Sequence, residues 1–317
     1  MSTAGLEVRA FATAREFLDA LDVSRAEWNE GGGFASRWLF RGQGDSRWRL
    51  QPKAWRADQA RPDGSLGRMR ATLEAFEPGR PAEGTIQHRF HELWLLVQAE
   101  IAVVSAFASL ADDLGIPVPD HDQLPTKFDP GDPHWREELL AIARPHVRHD
   151  ERASRKSPLA ANSAFALAQH HGIPTRLLDW TRDSAVAAFF AAENVPRDGT
   201  GVLSVWAIDR VRARESGELA LVQVPRSHVT FLHAQSGLFL LHAHAESHFE
   251  ADGAWPDLLD ALQCLGPGTV RRFDLPHAEA RELSRILWRR RISRAHMMPT
   301  YDSVTTTLQR EWELFGP

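Results

Sequence analysis

Gln169-His170-His171-Gly172-Ile173-Pro174-Thr175-Arg176-Leu177-Leu178-Asp179-Trp180-Thr181 joins two apolar segments, with a glycine and a proline fixing the backbone between them. A hydrophobic core needs none of its polar groups, and a solvated loop has no use for the tryptophan. The mixture reads as the wall of a binding site held between two helices. The helix before it runs from Pro158 to His170, capped by Ser157, with proline in its first turn and Gly172 ending it. The helix after it, Asp183 to Glu193, carries a small-residue face of Ala185, Ala187, Ala188 and Ala191. A companion motif, Phe40-Arg41-Gly42-Gln43, lies at the end of an apolar strand that begins at Ser36.

Outward from this centre, the first half reads as mainly helical. Arg9 to Trp28 is amphipathic and is stopped by Gly31-Gly32-Gly33. Gln87 to Leu114 carries the strongest helical stripe, from Phe90 and Leu93 through Val97, Ile101 and Val104 to Phe107. Residues 58–86 and 112–134, rich in Gly, Pro and charge, read as inserted loops, with a short helix at Ser65 to Glu77. Trp135 to Ile142 is a further helix. Strands are expected at Gly201–Ile208, Ala220–Val224, Gly237–His242 and Thr269–Phe273, then a helix from Pro276 to Arg290 and a helical tail over Val304 to Leu314. Helices followed by a strand-rich half point to the α+β class, with a mixed or antiparallel sheet flanked by helices.

Composition fits an ordinary globular chain: 317 residues, 43% hydrophobic and 25% charged. A net charge of -5 argues against holding nucleic acid by bulk electrostatics, though not against a local basic cleft. Lys53, Lys127 and Lys156 are the only lysines among 37 basic residues, an arginine bias that a GC-rich genome explains better than phosphate binding does. Cys264, the single cysteine, excludes an internal disulfide and a cysteine-based zinc cage. Met1 to Ala10 has no apolar signal core, and the apolar run Leu93 to Ala111 contains Gln98 and Glu100, so a cytoplasmic protein without a membrane span is expected. His242, His244 and His248 cluster; an exposed polar edge is the main reading, metal ligation the alternative, and no metal is assigned.

Two motifs carry a resemblance. Phe40-Arg41-Gly42-Gln43 with Trp48, Leu50 and Pro52, and the run Leu167 to Ala191 with Ala-Gln-His-His-Gly, Pro-Thr-Arg-Leu-Leu-Asp-Trp-Thr and Phe189-Phe190-Ala191, resemble the bacterial FRG domain family. Gln235-Ser236-Gly237-Leu238-Phe239 is similar to a third, weaker block. The resemblance places an FRG-like domain over 36–304, after an N-terminal helical segment (1–35) and before a helical tail (305–317). A more distant similarity is to mono-ADP-ribosyltransferases, whose early aromatic-Arg-Gly strand and later strand-helix layout are matched by Phe40-Arg41-Gly42 and by Leu177 to Ala191. Asp179 and Trp180 stand where small hydroxyl residues are usual. The late catalytic glutamate has no clear counterpart, and Asp302 is the nearest stand-in.

That second resemblance implies an ADP-ribosyltransferase-like architecture and NAD as substrate. It implies a toxin or phage-defence effector acting on a nucleic-acid or protein acceptor, with an antitoxin or inhibitor as a further partner. A non-catalytic nucleotide sensor is the alternative. Such chemistry needs an arginine fork for the diphosphate, an aromatic wall and a carboxylate beside the ribose. The expected catalytic groups are Asp179, Asp302 and His171. The expected ligand contacts are Arg41, Gly42, Gln43, His170, Thr175, Arg176, Trp180 and Thr181. Each has a structural alternative. Arg41 can pair with Asp179 in the interior, Gln43 can satisfy turn backbone, and Arg176 can form a structural salt bridge. Thr181 can cap the following helix and Trp180 can be core. His170 and His171, at a helix C-terminus, are expected to favour the imidazolium form. The cluster of Arg285, Arg289, Arg290, Arg291 and Arg294 reads as a solvated helix end or as a contact for an anionic acceptor.

Overall fold

The computed structural model describes residues 5–316 apart from 29–36, 57, 59–60, 62, 77–80, 82–83, 126–128, 130, 148–162, 197–198, 225–236 and 264–265. The Gly31-Gly32-Gly33 breaker, Ser36, Lys127, Lys156, the Ser157-Pro158 helix start, Gln235-Ser236 and Cys264 lie outside the described residues.

Seven strands form one mixed sheet: β1 (Leu6–Ala10), β2 (Trp38–Gln43), β3 (Leu178–Thr181), β4 (Val202–Asp209), β5 (Leu219–Val222), β6 (Gly237–His242) and β7 (Val270–Pro276), in the order β1-β7-β4-β2-β3-β6-β5. Only β1 and β7 are parallel; the other pairs are antiparallel. The described helices are α1 (Ala14–Ala20), α2 (Ser65–Glu74), α3 (Ile86–Asp113), α4 (Pro133–Val147), α5 (Ser163–His170), α6 (Ser184–Glu193), α7 (Arg210–Glu215), α8 (Ala245–Asp252), α9 (Leu258–Gln263), α10 (Ala280–Arg289), α11 (Arg294–Met297) and α12 (Tyr301–Phe315). The chain is therefore α+β with a mixed sheet flanked by helices.

The period-two alternation of the strands sorts their side chains into layers. Trp38, Phe40, Val205 and Phe273 face α1, α6 and α10. Phe239 and Leu241 share a second layer with α3, α4 and α5. The opposite residues, including Leu39, Leu178, Trp180, Trp206 and Leu240, pack against Leu50 and the short helix α9. α3 is the one described helix with the length and hydropathy of a membrane span, yet 67% of its apolar window is buried inside the protein.

The sequence-based elements and the structure differ in places with clear causes. The N-terminal segment expected to be helical over Arg9–Trp28 begins as strand β1, whose alternating Leu6, Glu7, Val8 and Arg9 pair with Val270 to Phe273. Only Ala14–Ala20 is α-helical there, with Thr13 as its cap. Leu178–Thr181, too short and too polar for periodicity to mark although the strand-helix resemblance over Leu177 to Ala191 implies a strand there, pairs along its length with β6. On its other side it meets β2 at a single position, Phe40 opposite Thr181. The two strands then separate, and the site lies in that gap.

Candidate functional site

A cavity of about 250 Å³ opens between the diverging strands β2 and β3 and the helices α5 and α6. It lies at the seam between the two helical layers on one face of the sheet. Asp179 and Thr181, alternate residues of β3, share that face, while Leu178 and Trp180 pack into the core behind it. Arg41 and Asp179, set 138 residues apart, both line the cavity.

The guanidinium of Arg41 reaches across the gap. Its Nη1 donates to the backbone carbonyl of Asp179 at 2.7 Å and stands 4.0 Å from the Asp179 carboxylate. The side chain thus occupies a backbone acceptor that the sheet ladder would have taken had the strands stayed paired. Among the described residues, the buried Nε of Arg41 has no hydrogen-bond partner. Burial draws Arg41 down to about 10, opposed by Asp179 and assisted by Arg56, so it remains a cation at neutral pH.

The Asp179 carboxylate sits in a concavity ringed by protein, while its own oxygens stay open to the cavity, with 65% of the side chain exposed. Crowding by the surrounding protein raises its pKa, and Arg41 and then Gln169 pull it back. Gln169 fixes the carboxylate by donating from Nε2 to Oδ1 at 2.7 Å, and its own Oε1 accepts from the Thr175 hydroxyl. The end of α5 orders this relay. Gly172, at φ +93°, turns the chain, and the amides of Gly172 and Ile173 donate to the carbonyls of Gln169 and Ala168.

His170 lines the cavity from the last turn of α5. Burial first, then the neighbouring His171 and Arg294, lower it to about 4. This reverses the imidazolium expectation: the cost of desolvating a charge exceeds what the helix dipole returns. His171 is not part of the cavity wall; it is exposed, stacked on Phe107 at 6.2 Å and edge-on to the His170 ring at 5.1 Å.

Thr181 lines the cavity with its backbone braced, since its hydroxyl accepts from the Asp183 amide at 3.0 Å. Asp183, not Thr181, is the cap of α6, accepting from the Ala185 and Val186 amides. Trp180 is 2% exposed and forms the rear wall as a core residue; its buried indole N–H has no partner among the described residues.

Other expected residues lie elsewhere. Gln43 is buried away from the cavity; its Oε1 accepts from Trp206 Nε1 at 2.7 Å and its Nε2 donates to the Arg49 carbonyl. Gly42 touches the cavity, but its reason for being glycine is contact with α6, where a Cβ would lie 1.9 Å from the Ala187 carbonyl oxygen. Thr175 is fully buried and acts through Gln169. Arg176 is 4% exposed and holds a buried cluster: its Nε donates to Glu100 at 2.9 Å and its Nη1 donates to Glu246. No donor of that guanidinium reaches the cavity wall. Asp302 lies in the first turn of α12, exposed and off the wall, although Met298 just before it does line the cavity. Arg285 and Arg281 donate to the carbonyls of Leu314 and Glu313, tying down the end of α12. Asn194, at the C-cap of α6, and Gln169 are wall residues outside the expected set. Gln169 stood at the head of the motif, whereas nothing in the sequence around Asn194 marked it.

Residues 121–199 match the FRG domain family model. The matched span carries Gln169, His170, Asp179 and Thr181 together with the α6 wall, whereas Arg41 comes from outside it. No curated protein and no solved structure matches the chain.

Proposed function

We propose that the cavity binds a nucleotide of the NAD class and that the chain is an ADP-ribosyltransferase-like effector acting on a nucleic-acid or protein acceptor. The observation that carries this reading is the placing of a cationic guanidinium with a spare buried donor beside a cavity-facing carboxylate. In this reading Arg41 binds a phosphate oxygen. Asp179, steered by Gln169, faces the ribose. The bond between ribose C1 and the nicotinamide nitrogen breaks, and its electron pair leaves with neutral nicotinamide. The positive charge developing on the ribose is stabilised by the Asp179 carboxylate. The acceptor's nucleophilic atom then bonds to C1, and its proton passes to Asp179. His170, being neutral, contributes a hydrogen bond and no charge. FRG-like resemblance to defence-associated modules supports a role as a toxin or phage-defence protein, with an inhibitor as its partner.

A second reading, a nucleotide sensor without turnover, is favoured by one observation: Asp302 and His171 stand off the cavity, leaving Asp179 as its single carboxylate among the described residues. Incubation with NAD labelled in its adenylate half plus cell lysate separates the two. The transferase reading expects free nicotinamide and labelled macromolecules, both abolished in Asp179→Asn, while Arg41→Ala loses NAD binding. Saturable NAD binding without nicotinamide release establishes the sensor. No binding of NAD at millimolar concentration refutes both.

A further inference from the structure

We propose that Glu218, His242 and His248 form a binding site for a divalent first-row transition metal. They come from separate elements: Glu218 from the turn before β5, His242 from the end of β6 and His248 from α8. Their candidate ligand atoms all lie within 4.8 Å of one another, the one such grouping found among the described residues. The backbone brings them together for reasons of its own. The β5–β6 ladder sets Leu219 opposite His242, and the Ala243 amide donates to the Glu218 carbonyl at 2.8 Å. The His248 amide donates to the His244 carbonyl, which places the ring one turn into the helix, 5.0 Å from the ring of His242.

Two imidazoles and one carboxylate are the donor set of three-ligand zinc sites that leave a position for water. Ligands about 2.1 Å from zinc stand roughly 3.4 Å apart, so the triad closes from within 4.8 Å, a movement of up to about 1.4 Å. His248 is exposed and free to rotate into place, whereas His242, 6% exposed, is the fixed member. The His244 amide donates to Nδ1 of His242 at 3.3 Å, a long hydrogen bond that metal ligation by this ring displaces. His244 caps α8 and is no member of the triad. The ion clips α8 to the β5–β6 hairpin. Because α8 carries Glu246, a partner of Arg176, the clip reinforces the buried cluster beneath the cavity loop.

Tag-free full-length protein, stripped with EDTA and exchanged into chelator-free buffer, is titrated with ZnCl₂ by calorimetry and melted with and without the metal. One ion per chain at micromolar Kd or tighter, with a higher melting temperature, is expected. His248→Gln and Glu218→Gln, both near the surface, should keep the apo melting temperature and weaken binding by more than about tenfold. Cobalt in place of zinc should give the intense visible absorption of a tetrahedral site, lost in His248→Gln. Absence of stoichiometric binding overturns the proposal. So does binding that both variants leave unchanged, since the metal would then sit on other histidines.

Discussion

Gly42→Ala is the substitution that best tests how the cavity is built. A Cβ at position 42 would lie 1.9 Å from the Ala187 carbonyl oxygen and 2.6 Å from the Ala191 amide nitrogen, both backbone atoms of α6. An ordinary contact is roughly 3.5 Å, so α6 must retreat from β2 by about 1.5 Å, and no rotamer change can relieve the overlap. Gly44 faces the same constraint one turn further on, 1.9 Å from the Asn194 carbonyl, so the helix cannot simply pivot about its end. The cost belongs at the upper end of the overpacking range, about 3 kcal/mol, which lowers the melting temperature by roughly 4–6 °C for a chain of this size. Thermal melts followed by far-ultraviolet circular dichroism measure the loss. A second variant separates the cause. If backbone contact is responsible, trimming Ala187 to glycine in the Gly42→Ala background gives no rescue and subtracts about another 1 kcal/mol as a helix-interior glycine. A melting temperature within 2 °C or so of wild type for Gly42→Ala, or recovery in the double variant, would refute the reasoning.

Two further outcomes follow from the buried charges. Arg176→Met leaves Glu100 and Glu246 facing one another without their shared cation; about 3–5 kcal/mol of stability should be lost in urea denaturation, and a loss under 1 kcal/mol or so would mean the cluster is hydrated. His170 has an ordinary pKa of 6.5 that falls to about 4 in the folded chain. The unfolded chain therefore takes up a proton as pH drops from 6.5 towards 4 while the folded ring stays neutral, so stability declines across that window. Wild type should lose on the order of 1 kcal/mol more than His170→Gln between pH 7.5 and 5, a figure reduced for partial solvent exposure; parallel curves for the two proteins would remove His170 as the cause.

The elements legible in the sequence were those whose signal is local. The stripe from Phe90 to Phe107 gave α3 almost to its ends, and Gly237–His242 was read with its own boundaries, because periodicity reports burial directly. Strand β3 is invisible to periodicity, and implied only by the strand-helix resemblance, because half of its residues face a cavity and not a core, so Asp179 breaks the apolar pattern that marks a strand. β1 was hidden because Glu7 and Arg9 serve edge ion pairs, with Arg9 donating to Glu7 and Glu27. For the site, residue chemistry was readable and residue partners were not. Arg41 and Arg176 are both chemically suited to phosphate, and what commits Arg176 elsewhere is Glu100, which lies 76 residues before it. Likewise His170 and His171 are adjacent, and the rotation of about 100° per helical residue puts one on the cavity wall and the other onto Phe107.

The two readings of Arg41, structural brace and anion ligand, divide the guanidinium between them. β2 and β3 pair at Phe40 and Thr181 and then part, which leaves the Asp179 carbonyl without a partner on β2. Nη1 covers that carbonyl, so removing the side chain costs this hydrogen bond whatever the ligand. The Asp179 carboxylate at 4.0 Å is too distant to engage the fork in the bidentate manner, and Nε remains without an acceptor. A guanidinium carries its five donors in one plane, so an edge committed to the backbone holds the remaining donors at a fixed angle to the cavity. Lysine at this position could satisfy the carbonyl with its single ammonium but could not at the same time present a second, rigid donor. Arg41→Lys should therefore keep the fold of the gap while losing affinity for an anion, whereas Arg41→Ala should lose both, and that difference separates the two duties of one side chain.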